Sequence, residues 1–368
     1  MFEEFCLKPS KVLENDEFDK NDYGRYAISL SRFNGDLNSI SLALLSVGSL
    51  EYDQSAEKIR AKLYSLKRPS HDVTKVLDLG HLIVPEDVEF VDDFEHILSC
   101  LLSHNVLPLI LGECESWSFG QYSAYGKMDD LLNFLNVDPV LDISQSLLKV
   151  FTQDPNHLFH YTHLAYQSYL SNPDTISLMK SLGCDIMRLG DVSHQIVKCE
   201  PLVRDANLLS FNVSAIKAID FPASNNEFPF GLSGEHSAQL FRYAGISSKL
   251  SSIGIYGYQS DKDNKHYHSA SVLAVMLWYF IEGFSMRKDS LDFTEKKFLK
   301  YNVAIPGGEE DLVFYKNKLD EKWWMEVPVL FQGRDISKHV ISCDYGDYES
   351  ALYGDLPERY INAFARLN

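Results

Sequence analysis

The chain has 368 residues, 45% of them hydrophobic and 12% aromatic, enough for one large α/β domain or two ordinary ones and too apolar for wholesale disorder. Its 52 acids against 34 bases leave a net charge of −18. That argues against nucleic acid or an anionic membrane surface as a partner, because phosphate binding needs a basic face.

The N-terminal stretch "MFEEFCLKPSKVLENDEF" is acidic and has no apolar signal core. Cys6, Cys100, Cys114, Cys184, Cys199 and Cys343 form no CxxC pair, so reduced, mostly buried thiols and a cytoplasmic location are expected. From Ser39 onward, short β-rich runs alternate with helical patterns. "SISLALLSVGS" reads as a buried strand and "SAEKIRAKLYSL" as a helix. "TKVLDLGHL" is a second strand, and "VDDFEHILSCLLSHN" a helix opened by two Asp at its positive end. "VLPLILG", "NFLNVDPVLDIS", "CDIMRLGDV", "NLLSFNVSAI" and "SSIGIYGYQ" read as further strands, with "SLMKSLG" and "HSAQLFRYAGI" as helices. The last helix, "SASVLAVMLWYFIEGF", is the most apolar segment, yet it is too short to span a membrane and is interrupted by Glu282. This order predicts a three-layer α/β/α fold with a mostly parallel central sheet. We read residues 1–38 as an N-terminal segment, 39–285 as the α/β/α domain and 286–368 as a charged, aromatic, hairpin-like C-terminal appendage packed on the same domain, with "GGEED" as a turn.

In open sheets of this kind ligands bind beyond the carboxyl ends of the strands, so each polar strand exit is a candidate site. One exit offers Glu113, Cys114 and Glu115. A second offers Asp138 and Asp142. A third offers Asn212 and Ser214, two residues apart and so on one side of a strand. Three neighbouring strands with oxygen-bearing tips would surround one hard cation.

The order of these exits resembles the ureohydrolases, the family of arginase, agmatinase and formimidoylglutamase, over roughly residues 40 to 285. Supporting phrases are "RLGDV", "SFNVSAIKAIDFPAS", "GLSGEHSAQLFRYAGISSKL" and "GIYGYQSDKD". The tail, with "KWWMEVP" and "ISCDYGDYESALYGDLPERY", resembles the extension of a divergent Bacteroidetes-type subgroup that often lacks its metal ligands. The resemblance implies an arginase-like fold, a homo-oligomer and a pair of manganese ions as cofactor. Those ions are held by a Gly-Gly-Gly-His exit, an Asp-Ala-His-x-Asp exit and a Ser-Phe-Asp-x-Asp exit.

Carried over by position, the ligands are mostly missing. The first metal-binding His falls on Glu115. The two Asp of the second exit are kept as Asp138 and Asp142, but the His between them is Val140. The two Asp of the third exit are Asn212 and Ser214, and the Glu that holds the substrate end falls on Gly257. Asp263 matches a later Asp.

Each manganese needs about six donors. Val140 has no lone pair and Ser214 only a neutral hydroxyl, and without the metals water is not ionised near neutral pH. The expected function is therefore that of a catalytically degenerate ureohydrolase-like protein acting by protein or small-ligand binding. The alternative is an active arginase- or formimidoylglutamase-like hydrolase of linear amidines with a remodelled metal site. A single magnesium or calcium site built from Glu115, Asp138, Asp142 and the Asn212 amide is a sharper reading. In the plainer one the two Asp bond backbone amides at the exit. If the acids converge without a cation, repulsion should raise at least one pKa.

Other groups carry weaker signals. His157, His160 and His163 in "NHLFHYTH" would align on a helix as zinc ligands, but a structural role is preferred. His266 and His268 are expected to face solvent, Cys114 to be an inert thiol between two glutamates, and "GLSG" to turn into a helix. Trp323 and Trp324 are adjacent and so cannot both point inward from a strand. One of them forms either a docking patch for a protein partner or a packing contact on the parent domain.

Overall fold

In a computed structural model of the protein, the structure describes residues 2, 4–69, 72–85, 92–127, 131–225, 228–287, 293–294, 296–304, 311–331 and 334–368. The predicted "GGEED" turn lies almost wholly outside these.

Ten strands form one sheet among the described residues. In chain order they are β1 (Leu7–Lys8), β2 (Ile28–Ser29), β3 (Leu42–Gly48), β4 (Val76–Ile83), β5 (Leu107–Gly112), β6 (Leu132–Val137), β7 (Leu158–Tyr166), β8 (Asp185–Arg188), β9 (Leu208–Asn212) and β10 (Ser252–Tyr256). Their spatial order is β1-β4-β3-β5-β10-β9-β6-β7-β8, with β2 beside β4, and every pairing but β1 with β4 is parallel.

The near-continuous apolar strands have two buried faces, and their period of two sorts side chains between two cores. On β3, Leu42 and Leu44 enter one core while Ala43, Leu45 and Val47 enter the other. The first core is closed by α2 (Tyr52–Tyr64), α9 (Gly234–Ile246) and α10 (His268–Ser285). The second is closed by α3 (Asp92–Ser103), α4 (Trp117–Ser123) and α5 (Gln145–Thr152). The three-layer expectation holds.

Two strands are shorter than the sequence suggests. In "CDIMRLGDV" the strand stops at Arg188, and Leu189–His194 form helix α7. In "NLLSFNVSAI" it stops at Asn212, whose side-chain oxygen accepts from Ser214 N (3.0 Å) and starts a 3-10 turn over Val213–Ala215. "GLSG" leads into α9, capped by Ser233 as expected. All six cysteines are free thiols, but only Cys199 and Cys343 are buried, and Cys6 and Cys114 are exposed. The expectation of mostly buried thiols is corrected.

The C-terminal extension is an antiparallel sheet of β11 (Phe298–Val303), β12 (Leu312–Asn317), β13 (Trp323–Phe331) and β14 (Arg334–Cys343), followed by α11 (Tyr345–Leu352) and α12 (Glu358–Leu367). Alternation on β13 does send the two tryptophans to opposite faces, but both faces are covered. Trp323 stacks on Tyr348 (4.7 Å between ring centroids) inside the tail's own core, while Trp324 lies under the Arg204 guanidinium (4.2 Å) with Phe293 and Phe298 against its edge. The packing alternative is the one observed. Both indoles are buried.

Arg204, in α8 (Glu200–Asp205), is the staple between tail and core. Its Nη2 donates to the carbonyls of Trp323 (3.1 Å) and Cys343 (3.0 Å), and Glu200 holds its Nε. Replacing it, Arg204→Ala, removes two charge-assisted bonds to buried carbonyls and should lower stability by roughly 2–4 kcal/mol. Hydrogen exchange should then quicken first in β13 and β14. Unchanged exchange there would show that Arg204 does not hold the tail.

Candidate functional site at the carboxyl edge of the sheet

The parallel register brings the carboxyl ends of β5, β10, β9 and β6 side by side: Tyr256 pairs with Gly112 on one flank and Asn212 on the other, and Val137 pairs with Phe211. The three polar exits are thus not on three adjacent strands, because β10 lies between β5 and β9. Its exit is Gly257, at φ +93°, a conformation L side chains rarely adopt. Glu115, from the β5 exit, reaches past this strand to the Asn212 amide on β9 (3.4 Å). Gly112 has a separate reason: a Cβ would sit 2.3 Å from the Tyr256 ring beside it.

At the crevice floor the Asn212 amide donates to Asp138 Oδ2 (2.7 Å) and, at 3.4 Å, to Glu115 Oε2, which brings the two carboxyls against each other. Asp138 Oδ1 accepts from its own turn at Val140 N (2.7 Å). This is the backbone-capping role expected for Asp138. Burial pushes both carboxyls up from the usual range, and for Asp138 the Glu115 charge adds to it. The expected rise is present.

The remaining predicted residues divide. Val140 is half-buried and contributes only its backbone N–H, and Ser214 is buried within the turn that Asn212 caps. Asp142 is exposed on the loop beyond and joins no hydrogen bond or ion pair among the described residues, so the four-donor cation site with Asp142 is corrected to two carboxyls and one amide. The loop leaves the sheet after Val137, and four residues carry Asp142 to solvent. Glu113 is tied to the β3 exit through Ser49 N and Oγ (both 2.8 Å). The Cys114 thiol is pushed up, chiefly by desolvation, then by Glu113 and Glu115. Asp263 accepts from Ser269 N and Ala270 N (both 3.1 Å), capping α10. His266 and His268 are exposed as expected.

The three histidines cannot form the helical ligand set, because β7 is a strand and positions three apart fall on opposite faces. His163 turns to the crevice side. Its Nε2 donates to the Asp138 carbonyl (3.0 Å), which leaves Nδ1 to accept from Tyr161 O–H (3.1 Å). Burial holds this imidazole down at about 4, hence neutral.

Beneath the floor lies a polar layer that the strand exits did not announce. Asn136 and Ser210 are register partners, each two residues inside Asp138 and Asn212, and Asn136 Oδ1 and Ser210 Oγ are buried without a partner. The spacing i−2 from each exit residue was the available signal, since it puts both on the crevice face.

The donor set does not suit two manganese ions. Among the described residues no group of three or more His, Cys, Asp or Glu is placed to hold a metal. The His163 nitrogens beside it are engaged by Tyr161 and the Asp138 carbonyl, and both Asp138 oxygens and the Asn212 amide oxygen already accept hydrogen bonds from the protein.

Neither a protein-family model nor a curated protein sequence matches this chain. Solved structures do. The formiminoglutamase of Trypanosoma cruzi with Mn2+ superposes with a TM-score of 0.62 at 15% identity, over 69% of this chain and 96% of that one. Formimidoylglutamase from Bacillus subtilis gives 0.60 at 15%, over 70% and 90%. Arginase from the same organism gives 0.54 at 13%, over 68% and 99%. The chain therefore has the arginase-type α/β/α fold, extended by an antiparallel C-terminal sheet.

The carboxyl pair makes a signed prediction. Both folded pKa values are raised above the unfolded range near 4, so the pair's contribution is fully present below about pH 4 and is lost as pH rises through the folded values. Glu115→Gln, which leaves Asp138 an amide in place of a like charge, should raise stability at pH 8 by on the order of 1–3 kcal/mol and change it little at about pH 4. Thermal melting at the two pH values reads this out. An equal shift at both would remove the like-charge account.

Proposed function

We propose that this protein is a catalytically degenerate ureohydrolase-like protein that works by binding another protein or a small ligand rather than by hydrolysing one. The observation that carries the reading is the donor count at the crevice floor: Glu115, Asp138 and Asn212 meet there, while Val140, Ser214 and Gly257 offer no side-chain ligand to it. A hydrolase of guanidine or amidine groups needs an ionised water, and two adjoining carboxyls beside a neutral His163 lack the positive charge that would ionise one. The reading needs no resident manganese. Assembly into a homo-oligomer, on the resemblance alone, and a cytoplasmic location, on the cysteine pattern, belong to the same proposal.

The test is elemental analysis of protein purified without chelator, together with assays for urea and formamide release and melting in manganese, magnesium and calcium. We expect substoichiometric metal, an unmoved melting point and no product. Two manganese ions per chain, or steady release of urea or formamide, would establish the active hydrolase with a remodelled site instead.

A further inference from the structure

The tail also closes a second polar cavity, at the opposite end of the sheet from the crevice. Near the amino ends of β6, β7 and β8 lie Asn133, His160 and Asp185. Lys249 approaches from the turn before β10, and β14 and α12 of the tail supply His339, Arg359 and Arg366. The space open to water centres is about 30 Å³. A single water needs roughly 10–15 Å³ by this measure, so the cavity admits about two waters or one compact anion, and nothing the size of a nucleotide.

Its acids are already committed. Asp185 accepts from His160 (2.8 Å) and faces Arg366 (3.4 Å). Although burial alone would raise it, His160, Arg366 and Arg359 draw its carboxyl down to about 2. Asp205 accepts from Ser342 N (3.0 Å) and Ser342 Oγ (2.8 Å). Arg359 is held by Asp347 (3.2 Å).

Its donors are not all committed. Arg366 Nη1 lies on His160, but Arg366 Nε is buried with no hydrogen-bond partner. Among the described residues neither the Lys249 ammonium nor the His339 ring has a hydrogen-bonded or ion-paired partner; His339 rests only against the Phe159 ring. Burial, then Lys249 and Arg366, disfavour the charged form of His339 against the pull of Asp205, which places these nitrogens in one another's field. In a chain of net charge −18, unfilled N–H donors converging from core and tail are a built receptor for a small anion.

We propose that this cavity binds one inorganic phosphate, or a tetrahedral oxyanion of like size, between Lys249, His339 and Arg366, and that the anion fastens the C-terminal extension to the α/β/α core. Asp185 and Asp205 line the same space, so the anion is held by the unfilled nitrogens and not by a uniformly positive wall. Because its ligands come from both the core (Lys249) and the tail (His339 and Arg366), binding to the folded chain alone stabilises the junction by mass action.

Melting of the full chain against inorganic phosphate, at ionic strength held constant with chloride, tests this. Phosphate also stabilises proteins unspecifically by exclusion from their surfaces, so saturation and dependence on Lys249 are the readouts. We expect a saturable rise for the native chain, affinity lowered about tenfold or more in Lys249→Met, and affinity largely kept in Lys249→Arg. Lys249 has no partner to lose, so Lys249→Met should melt normally without phosphate; should it fold poorly, His339→Asn serves in its place with the same expected loss. Phosphate should also slow hydrogen exchange in β14 and α12. A rise that never saturates and is equal in the native and Lys249→Met chains overturns the site, and saturable binding without slowed exchange in the tail overturns the fastening role.

Discussion

The structure depends most on the parallel pairing of β10 with β5 on one side and β9 on the other. It fixes which strand ends meet at the crevice. Since Tyr256 pairs with both Gly112 and Asn212, the two exits stand one strand apart, and what lies between them is decided by the residue after Tyr256. That residue is a glycine in a left-handed conformation, its N–H donating to the Gly112 carbonyl at 3.1 Å. A larger side chain would be strained there, and its Cβ would lie 3.5 Å from Asn212 Oδ1 and from Val213 Cγ2. The convergence of two carboxyls and an amide thus follows from the register of these strands.

The electrostatics of the crevice follow from the same placement. Two acids brought together over a buried floor, with neutral His163 behind them and no described cation beside them, hold their protons more tightly than free carboxyls. The contrast with the Arg60–Asp78 pair is instructive. That pair is also fully buried, but the guanidinium donates to both carboxylate oxygens, to Ser46 Oγ and to the Gly80 carbonyl, and Tyr64 adds an O–H bond to Asp78. Burial is common to both. A compensating cation is present only in the second.

Much of this was legible in the sequence. The continuous apolar runs "SISLALLSVGS" and "VLPLILG", alternating with amphipathic helices, specify a parallel sheet buried on both faces, and the polar residues at their ends mark the crevice. Three features were not legible. Strand order is a tertiary property, so placing β10 between β5 and β9 could not be read from the order along the chain. Whether Asp142 follows Asp138 into the crevice depends on the path of a loop that "DPVLD" leaves open. The tryptophans obeyed the alternation rule, but the rule does not say what covers each face. Here the tail's own tyrosines cover one, and Arg204 with two phenylalanines the other.

The crevice is also self-sufficient, which bears on what it can bind. Asp138 directs one oxygen to Val140 N and the other to the Asn212 amide, and Asn212 directs its own oxygen to Ser214 N. Two of these bonds close turns at strand exits and the third ties the β9 exit to the β6 exit, so the atoms that would have to face an ion are those that shape the loops. A divalent cation entering here would need Asp138 to give up a backbone N–H and Asn212 to rotate its amide, leaving buried donors unpaired at roughly 1–3 kcal/mol each. A ligand that donates hydrogen bonds to Glu115, the partly exposed member, meets no such penalty. The floor is thus shaped by bonds that an entering cation would have to break.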